Sequence, residues 1–260
     1  MKTHQRVAGL ALCVAAVAAS AQQIANPKDP FEGWNRALFS FNEGLDNAVL
    51  KPVATGYVNV VPEVVRSGVR NVFANFGDAW SAINQLLQGK PVTAAEMTMR
   101  VATNTLFGVA GLFDVASDLG IERRTEDFGQ TLGRWGLPAG PYLVLPLLGP
   151  SSLRDTAGLP LDLQWRPGAL TDDNGTGLGL SLLQLIDTRA NLLNASRIVD
   201  GIALDKYVFV RDGYLTRRRS QVYDGDPPEV AEDKDDAPTV APAPNPTSAP
   251  APAQPASAPR

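Results

Sequence analysis

Hydrophobic positions in residues 29–57 (DPFEGWNRALFSFNEGLDNAVLKPVATGY) recur in steps of three and four. Phe31, Trp34, Leu38, Phe41, Leu45 and Val49 draw one stripe along a helix, while Asn35, Arg36, Ser40, Glu43 and Asp46 occupy much of the rest. A second stripe (Val65, Val69, Val72, Phe76, Trp80, Ile83, Leu87) predicts a helix over 64–87, opened by Pro62 and closed by Gly89-Lys90-Pro91. A third helix is expected from Thr93 to Phe107, with Thr93 as N-cap and Glu96 at the capping-box position. Leu178, Leu182, Leu185, Ile186 and Leu193 predict another after a polar turn at 171–177. Residues 205–223 read as a last helix closing on Arg217-Arg218-Arg219. Taken alone, a one-sided stripe suits a helix facing a core. An aromatic stripe at the start of an exported chain also suits a helix lying on a bilayer.

The middle of the chain breaks this rhythm. Residues 118–150 carry Gly129, Gly133, Gly136, Gly140-Pro141 and Gly149-Pro150 around the apolar run Tyr142-Leu143-Val144-Leu145-Pro146-Leu147-Leu148. Pro146 argues against a long helix or a central strand there. The run must either be buried or face lipid. Each of the glycines, taken singly, suits ordinary turn chemistry.

Both ends differ from the middle. Residues 1–21 read as a signal peptide: Lys2, His4 and Arg6 precede an apolar stretch from Val7 to Val17, and Ala19-Ser20-Ala21 predicts cleavage before Gln22. That stretch is shorter than the roughly twenty apolar residues a span requires. Cys13 is the one candidate for lipid attachment, but Leu12 stands where a small residue is wanted, so removal with the leader is expected. From Asp226 onward an acidic patch (Glu229, Glu232, Asp233, Asp235, Asp236) leads into a Pro/Ala-rich tail, which lacks the apolar content to fold. The expected organisation is a leader at 1–21, one helical domain at 22–225 and a disordered tail at 226–260.

Export removes chemistry. The single cysteine and the single histidine both fall in the leader, so the mature chain has no thiol and no imidazole. Ser-His-Asp and Cys-His catalysis and the usual zinc sites are thereby excluded. The formal net charge of -4 and the scattered basic residues do not support nucleic-acid binding. Glu126-Asp127, Asp155 and Asp162 are the only carboxylates worth weighing for glycoside hydrolysis, and their neighbours suit capping and ion pairing better. Asp172-Asp173-Asn174-Gly175 lacks the closing glutamate of a calcium loop, and Gly175-x-Gly177-x-Gly179 lacks the strand a dinucleotide site needs. Neither a cofactor nor a metal is expected, and no enzymatic activity.

Several blocks carry a specific resemblance: DPFEGWNRALFSFNEGLD, KPVATGY, VPEVVRSGVRNVFANF, QLLQGK, NTLFGVAGLFDVAS, RTEDFGQTLGRWGLPAGPYLVLPLLGPSSLRD and IDTRANLL. Together they span nearly all of the mature chain except the tail, and they resemble the VacJ/MlaA family of outer-membrane phospholipid-transport proteins. The resemblance implies an all-α fold, a ring-like bundle of amphipathic helices lying in the membrane plane with a Gly/Pro-rich central hairpin region. It implies removal of phospholipid misplaced in the outer leaflet of the outer membrane and its transfer to a periplasmic carrier, beside a trimeric porin. The expected partners are therefore phospholipid, the outer-membrane bilayer, a porin and a carrier, on the periplasmic side of the outer membrane. A headgroup crossing hydrocarbon is costly, and a wet polar path lowers that cost without a catalytic residue.

Phe41-Asn42 matches a family segment beside the channel and Tyr142–Leu148 the hairpin near it, so Phe41, Asn42, Tyr142, Leu143, Leu145 and Leu147 are lipid-path candidates. Phe31, Trp34 and Leu38 are candidates for membrane anchoring. Arg217, Arg218 and Arg219 are candidates for anionic headgroups, although cations are favourable at any helix C-terminus. The competing function is a periplasmic scaffold that binds porin or cell wall and moves no lipid.

Overall fold

The computed structural model describes residues 28–228, so the leader, Cys13 and all but the first residues of the tail lie outside the described residues. Within it, α1 (Glu32–Leu45) runs through a π-helical stretch (Asp46–Leu50) into α2 (Lys51–Val60) with helical backbone at each junction. The wide turn has a cause in the sequence. Pro52 has no N–H to give to residue 48 and crowds that carbonyl, and a π turn absorbs the mismatch without ending the rod.

Helix α3 (Glu63–Leu87) starts after Pro62, whose backbone is extended, and stops before Gly89 at φ 75°. Helix α4 (Pro91–Leu106) begins two residues before the expected N-cap. Pro91 takes the first helical position, where a missing N–H costs nothing, and Thr93 sits inside the first turn with its hydroxyl donating to Lys90 O at 3.2 Å. The Thr93/Glu96 capping box is therefore not formed. Two short helices follow, α5 (Val115–Asp118) and α6 (Phe128–Arg134), the latter capped by Asp127, which accepts from Gln130 N at 2.9 Å.

Strands β1 (Tyr142–Leu145) and β2 (Gly149–Ser152) pair antiparallel, Tyr142 opposite Ser152 and Leu145 opposite Gly149, with Pro146-Leu147-Leu148 at the tip. Helix α7 (Leu153–Gln164) and a 3-10 turn (Pro167–Ala169) lead to α8 (Asn174–Ile202) and α9 (Lys206–Val222). The polar turn expected at 171–177 is shorter than that. Asp173 accepts Thr176 N at 2.6 Å as N-cap, and residues 174–177 are already helical.

Packing closes these elements into a circuit. Helix α1 lies on β1, β1 pairs β2, β2 packs on α7, and α7 on α6. Helix α6 meets α3, α3 meets α8, and α8 returns to α2 on the same rod as α1, with α9 against α6 and β2. The chain is mostly helical with one small hairpin, as expected. Among the described residues no helix is long and apolar enough to cross a membrane.

The interior of this circuit is polar. Buried side chains include Asn35, Asp78, Ser81, Asn84, Gln85, Arg100, Asn104, Gln130, Thr131 and Arg154, whereas the buried apolar set is short and mostly small. A large apolar perimeter is exposed instead, from Phe31, Trp34 and Phe41 through Val64, Leu86, Phe107 and Ile202. None of the second stripe, Val65 through Leu87, is fully buried, while Asn75, Asp78, Ser81 and Gln85 of the same helix are. Soluble domains show the opposite arrangement. The buried charges are satisfied in a network. Arg100 reaches Asp78 at 3.1 Å and both oxygens of Asp114 at 2.6 Å, and Arg123 reaches Asp78 at 2.8 Å. Burial acts to raise the Asp114 carboxyl, but bonds from Ser117, Asn104 and Arg100 outweigh it and hold it at about 2.

Candidate functional site

Helix α1 carries Asn35 and Asn42 on one face, seven residues apart, and both grip β1 and the tip that follows it. Asn35 donates to Tyr142 O at 3.0 Å and to Asp29 Oδ1 at 2.8 Å, and accepts Val144 N at 2.9 Å. Asn42 donates to Leu145 O at 2.9 Å and accepts Leu147 N at 2.8 Å. A side-chain amide has the donor and acceptor of a peptide group, so the two asparagines stand in for a neighbouring strand. Asp29, fully buried, also accepts from Tyr207 Oη at 2.5 Å and lies 3.4 Å from Arg211. Burial, then the Asp29 charge, pushes the Tyr142 phenol up to about 12.

Inside the circuit lies a cavity of about 360 Å3. Helix α3 lends it Phe73 and Trp80, α7 Asp155 and Asp162, α8 Gln184, and α9 Tyr214 and Arg218. A second cavity of about 460 Å3 lies against the hairpin tip, between Leu147, Leu148, Leu163 and Leu185. Arg166 and Gln184 line both. One end of the interior is thus charged and aromatic, the other aliphatic.

Arg218 is clasped between two carboxylates, Asp127 at 2.5 Å and Asp155 at 2.9 Å, and Tyr214 donates to Asp155 at 2.5 Å. Burial opposes charge on both partners. The Arg218 bond still holds the Asp155 carboxyl below its ordinary value, and the two carboxylates hold the Arg218 guanidinium above its own. Gly129 permits this approach, since a Cβ there would lie 2.5 Å from Arg218 and 2.6 Å from Asp155. Asp162 differs: burial raises its carboxyl, and its Oδ1 accepts Trp80 Nε1 and Phe128 N, each at 2.8 Å. Trp80 stacks on Trp165 with ring centres 4.9 Å apart.

The expected site residues divide. Phe31, Trp34 and Phe41 face outward, 50%, 67% and 57% exposed, as an anchor requires of the first two. Leu38 departs from that group and packs against the small core of Tyr142, Val144 and Tyr207. Phe41 lines neither cavity, and Tyr142 is a core residue, fully buried, because alternation in β1 turns it and Val144 inward. Leu143 and Leu145 lie half-buried on the other strand face, and Leu147 lines the aliphatic cavity. Of the three arginines, Arg218 is corrected to an internal ion pair, Arg219 is half-buried and already engaged, and Arg217 is exposed beside an apolar groove with Leu204 and Phe209.

Sequence reasoning passed over Asn35, Asp29, Trp165 and Arg166. Only the heptad spacing of Asn35 and Asn42 is available as a signal, and Asn35 stands among the polar residues off the apolar stripe. Asp127, Asp155 and Asp162 are occupied by caps and internal bonds, and Asp173 by its cap. Gly136 and Gly140 bend the chain at φ 94° and 68°, whereas Gly129 and Gly133 lie inside α6 and serve close packing instead. No cluster of metal-ligating side chains occurs among the described residues.

A family model described as MlaA lipoprotein matches residues 27–221. An uncharacterized protein of Rickettsia typhi is 33% identical over 195 residues, covering 75% of this chain and 78% of the relative. The intermembrane phospholipid transport system lipoprotein MlaA of Escherichia coli is 34% identical over 198 residues, covering 73% of this chain and 76% of that protein. A solved structure described by the words "Structural basis for maintenance of bacterial outer membrane lipid asymmetry" superposes with a TM-score of 0.65 at 34% identity, covering 75% of this chain and 98% of its own.

Proposed function

Because the chain belongs to the MlaA lipoprotein family, we propose that it removes phospholipid misplaced in the outer leaflet of the outer membrane and delivers it to a periplasmic carrier. In this reading it lies in the periplasmic leaflet of that membrane beside a porin, and its work is transport without covalent chemistry. The E. coli relative named for intermembrane phospholipid transport supports the substrate class.

The observation that carries the reading is the inverted burial: large apolar side chains outside, and amides, carboxylates and guanidinium groups around a cavity within. Lipid tails can solvate the perimeter while a headgroup passes through the polar interior, so charge need not enter hydrocarbon. Amphipathic helices, none of those described being long and apolar enough to span, are suited to one leaflet.

Deleting the gene tests this. Outer-leaflet phospholipid, read by a membrane-impermeant amine reagent or an added phospholipase, should rise and return to the wild-type level on complementation. Wild-type levels in a deletion strain without a paralogue overturn the reading. A scaffold acting through its tail would instead fail when residues 226–260 alone are removed.

A further inference from the structure

Arg166 lines both cavities and is exposed, and no described carboxylate pairs with its guanidinium. The other cation of the polar cavity is accounted for, since Arg218 is held by Asp127 and Asp155. Facing the same cavity, Asp162 spends only Oδ1 on protein donors, and no described donor reaches Oδ2. Beside it the stacked faces of Trp80 and Trp165 form an aromatic wall. A free guanidinium prefers a phosphate, which it can bind with two parallel N–H donors. A carboxylate beside an aromatic pair suits an ammonium group.

We propose that Arg166, Asp162 and the Trp80–Trp165 pair form a subsite for a zwitterionic aminophospholipid headgroup, with phosphate on Arg166 and ammonium between Asp162 and the indoles. The assignment rests on the transport reading and names its substrate class. Three further facts support it. The lining carries three carboxylates (Asp127, Asp155, Asp162) against two guanidinium groups (Arg166, Arg218), an excess of one negative charge that disfavours an anionic headgroup. Burial also leaves the Asp162 carboxyl raised, a state that an arriving cation relieves. A cavity of about 360 Å3 lies within the range of small-ligand sites. The aliphatic cavity that shares Arg166 then receives the start of the acyl chains, between Leu147, Leu163 and Leu185.

The test uses the full chain in a neutral detergent, titrated with dihexanoyl phosphatidylethanolamine, dihexanoyl phosphatidylglycerol or inorganic phosphate, and read by calorimetry. Wild type should bind the ethanolamine lipid about tenfold more tightly than the glycerol lipid. Arg166→Gln should weaken both by about tenfold. Asp162→Asn keeps Oδ1 as an acceptor and so the bonds from Trp80 and Phe128, and should erase the preference while glycerol-lipid binding holds. Equal wild-type affinities, a preference that survives D162N, or inorganic phosphate binding as tightly as the ethanolamine lipid overturns the subsite. If an R166Q strain clears ethanolamine lipid normally while the deletion strain accumulates it, the subsite falls and the transport reading stands. A deletion strain with wild-type asymmetry removes the transport reading itself.

Discussion

Asn42 accepts the backbone N–H of Leu147 at 2.8 Å and so holds a branched residue at φ 65°, in the left-handed region. Non-glycine residues pay roughly 1 kcal/mol or more there, and persist only when neighbours over-determine them. Asn42→Ala should therefore free the hairpin tip. We expect a loss of about 1–2 kcal/mol and faster hydrogen exchange at residues 145–148, with the rest of the ring unchanged. Leu147→Gly should relieve the strain and slow that exchange.

Asn35 sits deeper, and its loss should cost more. Asn35→Ala leaves Tyr142 O, Val144 N and Asp29 short of a partner in a buried site, and we expect about 3 kcal/mol. Asn35→Asp replaces the donor to Asp29 with a second carboxylate, so resistance to trypsin should collapse at neutral pH and return partly on acidification.

Two glycines offer a matched pair. A Cβ on Gly168 would lie 2.1 Å from Ser181 Oγ and 2.6 Å from Gly177 O, whereas one on Gly179 of α8 meets nothing within 4 Å. Gly168→Ala should destabilise the contact between the 3-10 turn and α8 by about 2 kcal/mol or more. Gly179→Ala should stabilise by up to about 1 kcal/mol, since only the helix propensity changes. Thermal melts in one detergent compare them.

Acid stability should have two limbs. Asp155 titrates below its ordinary value of 3.8 in the fold, so its contribution is present above that pH and is lost as pH falls through the folded value. Glu126 and Asp162 titrate above their ordinary values, so they favour the fold at low pH, and that advantage disappears as pH rises through their folded values. Stability should thus climb slightly on mild acidification and fall below pH 3.8. Asp155→Asn should lessen the fall, to which Asp114 also contributes, and leave the climb.

The outward aromatics supply the last test. Replacing both Phe31 and Trp34 with glutamate should weaken co-flotation of the protein with phospholipid vesicles while leaving protease resistance intact, because neither side chain packs in the interior.

Helix positions were legible from spacing, and α1, α3 and α9 fall close to where the stripes and caps place them, whereas α8 runs on from the expected end at Leu193 to Ile202. The direction each stripe faces was not. Periodicity reports that a helix has two faces and is silent about which one meets solvent, so the stripes of α1 and α3 fit a core and a bilayer alike, and nothing local separates buried Asn35 from the other polar residues of α1. Glycines inside α6 and the Gly158-Pro160 pair inside α7 hid two helices, because local propensity disfavours both residues and tertiary contact overrides it. Pro146 argued against a long helix or a central strand, and it stands at the turn between two short strands. The Arg218 clasp and the Arg166 opening join residues far apart in the chain, and no local pattern carries such a pairing.

An interior of amides and ion pairs also changes what calorimetry should record. Unfolding a water-soluble domain exposes apolar surface and raises heat capacity by roughly 12–15 cal/mol/K per residue, with polar exposure acting in the opposite sense. Here the large apolar side chains already lie outside, covered by detergent or lipid before and after melting, and what water newly reaches is Asn35, Asp78, Arg100 and their neighbours. The heat-capacity increment should be far smaller, the stability curve nearly straight rather than domed, and cold denaturation absent from the accessible range.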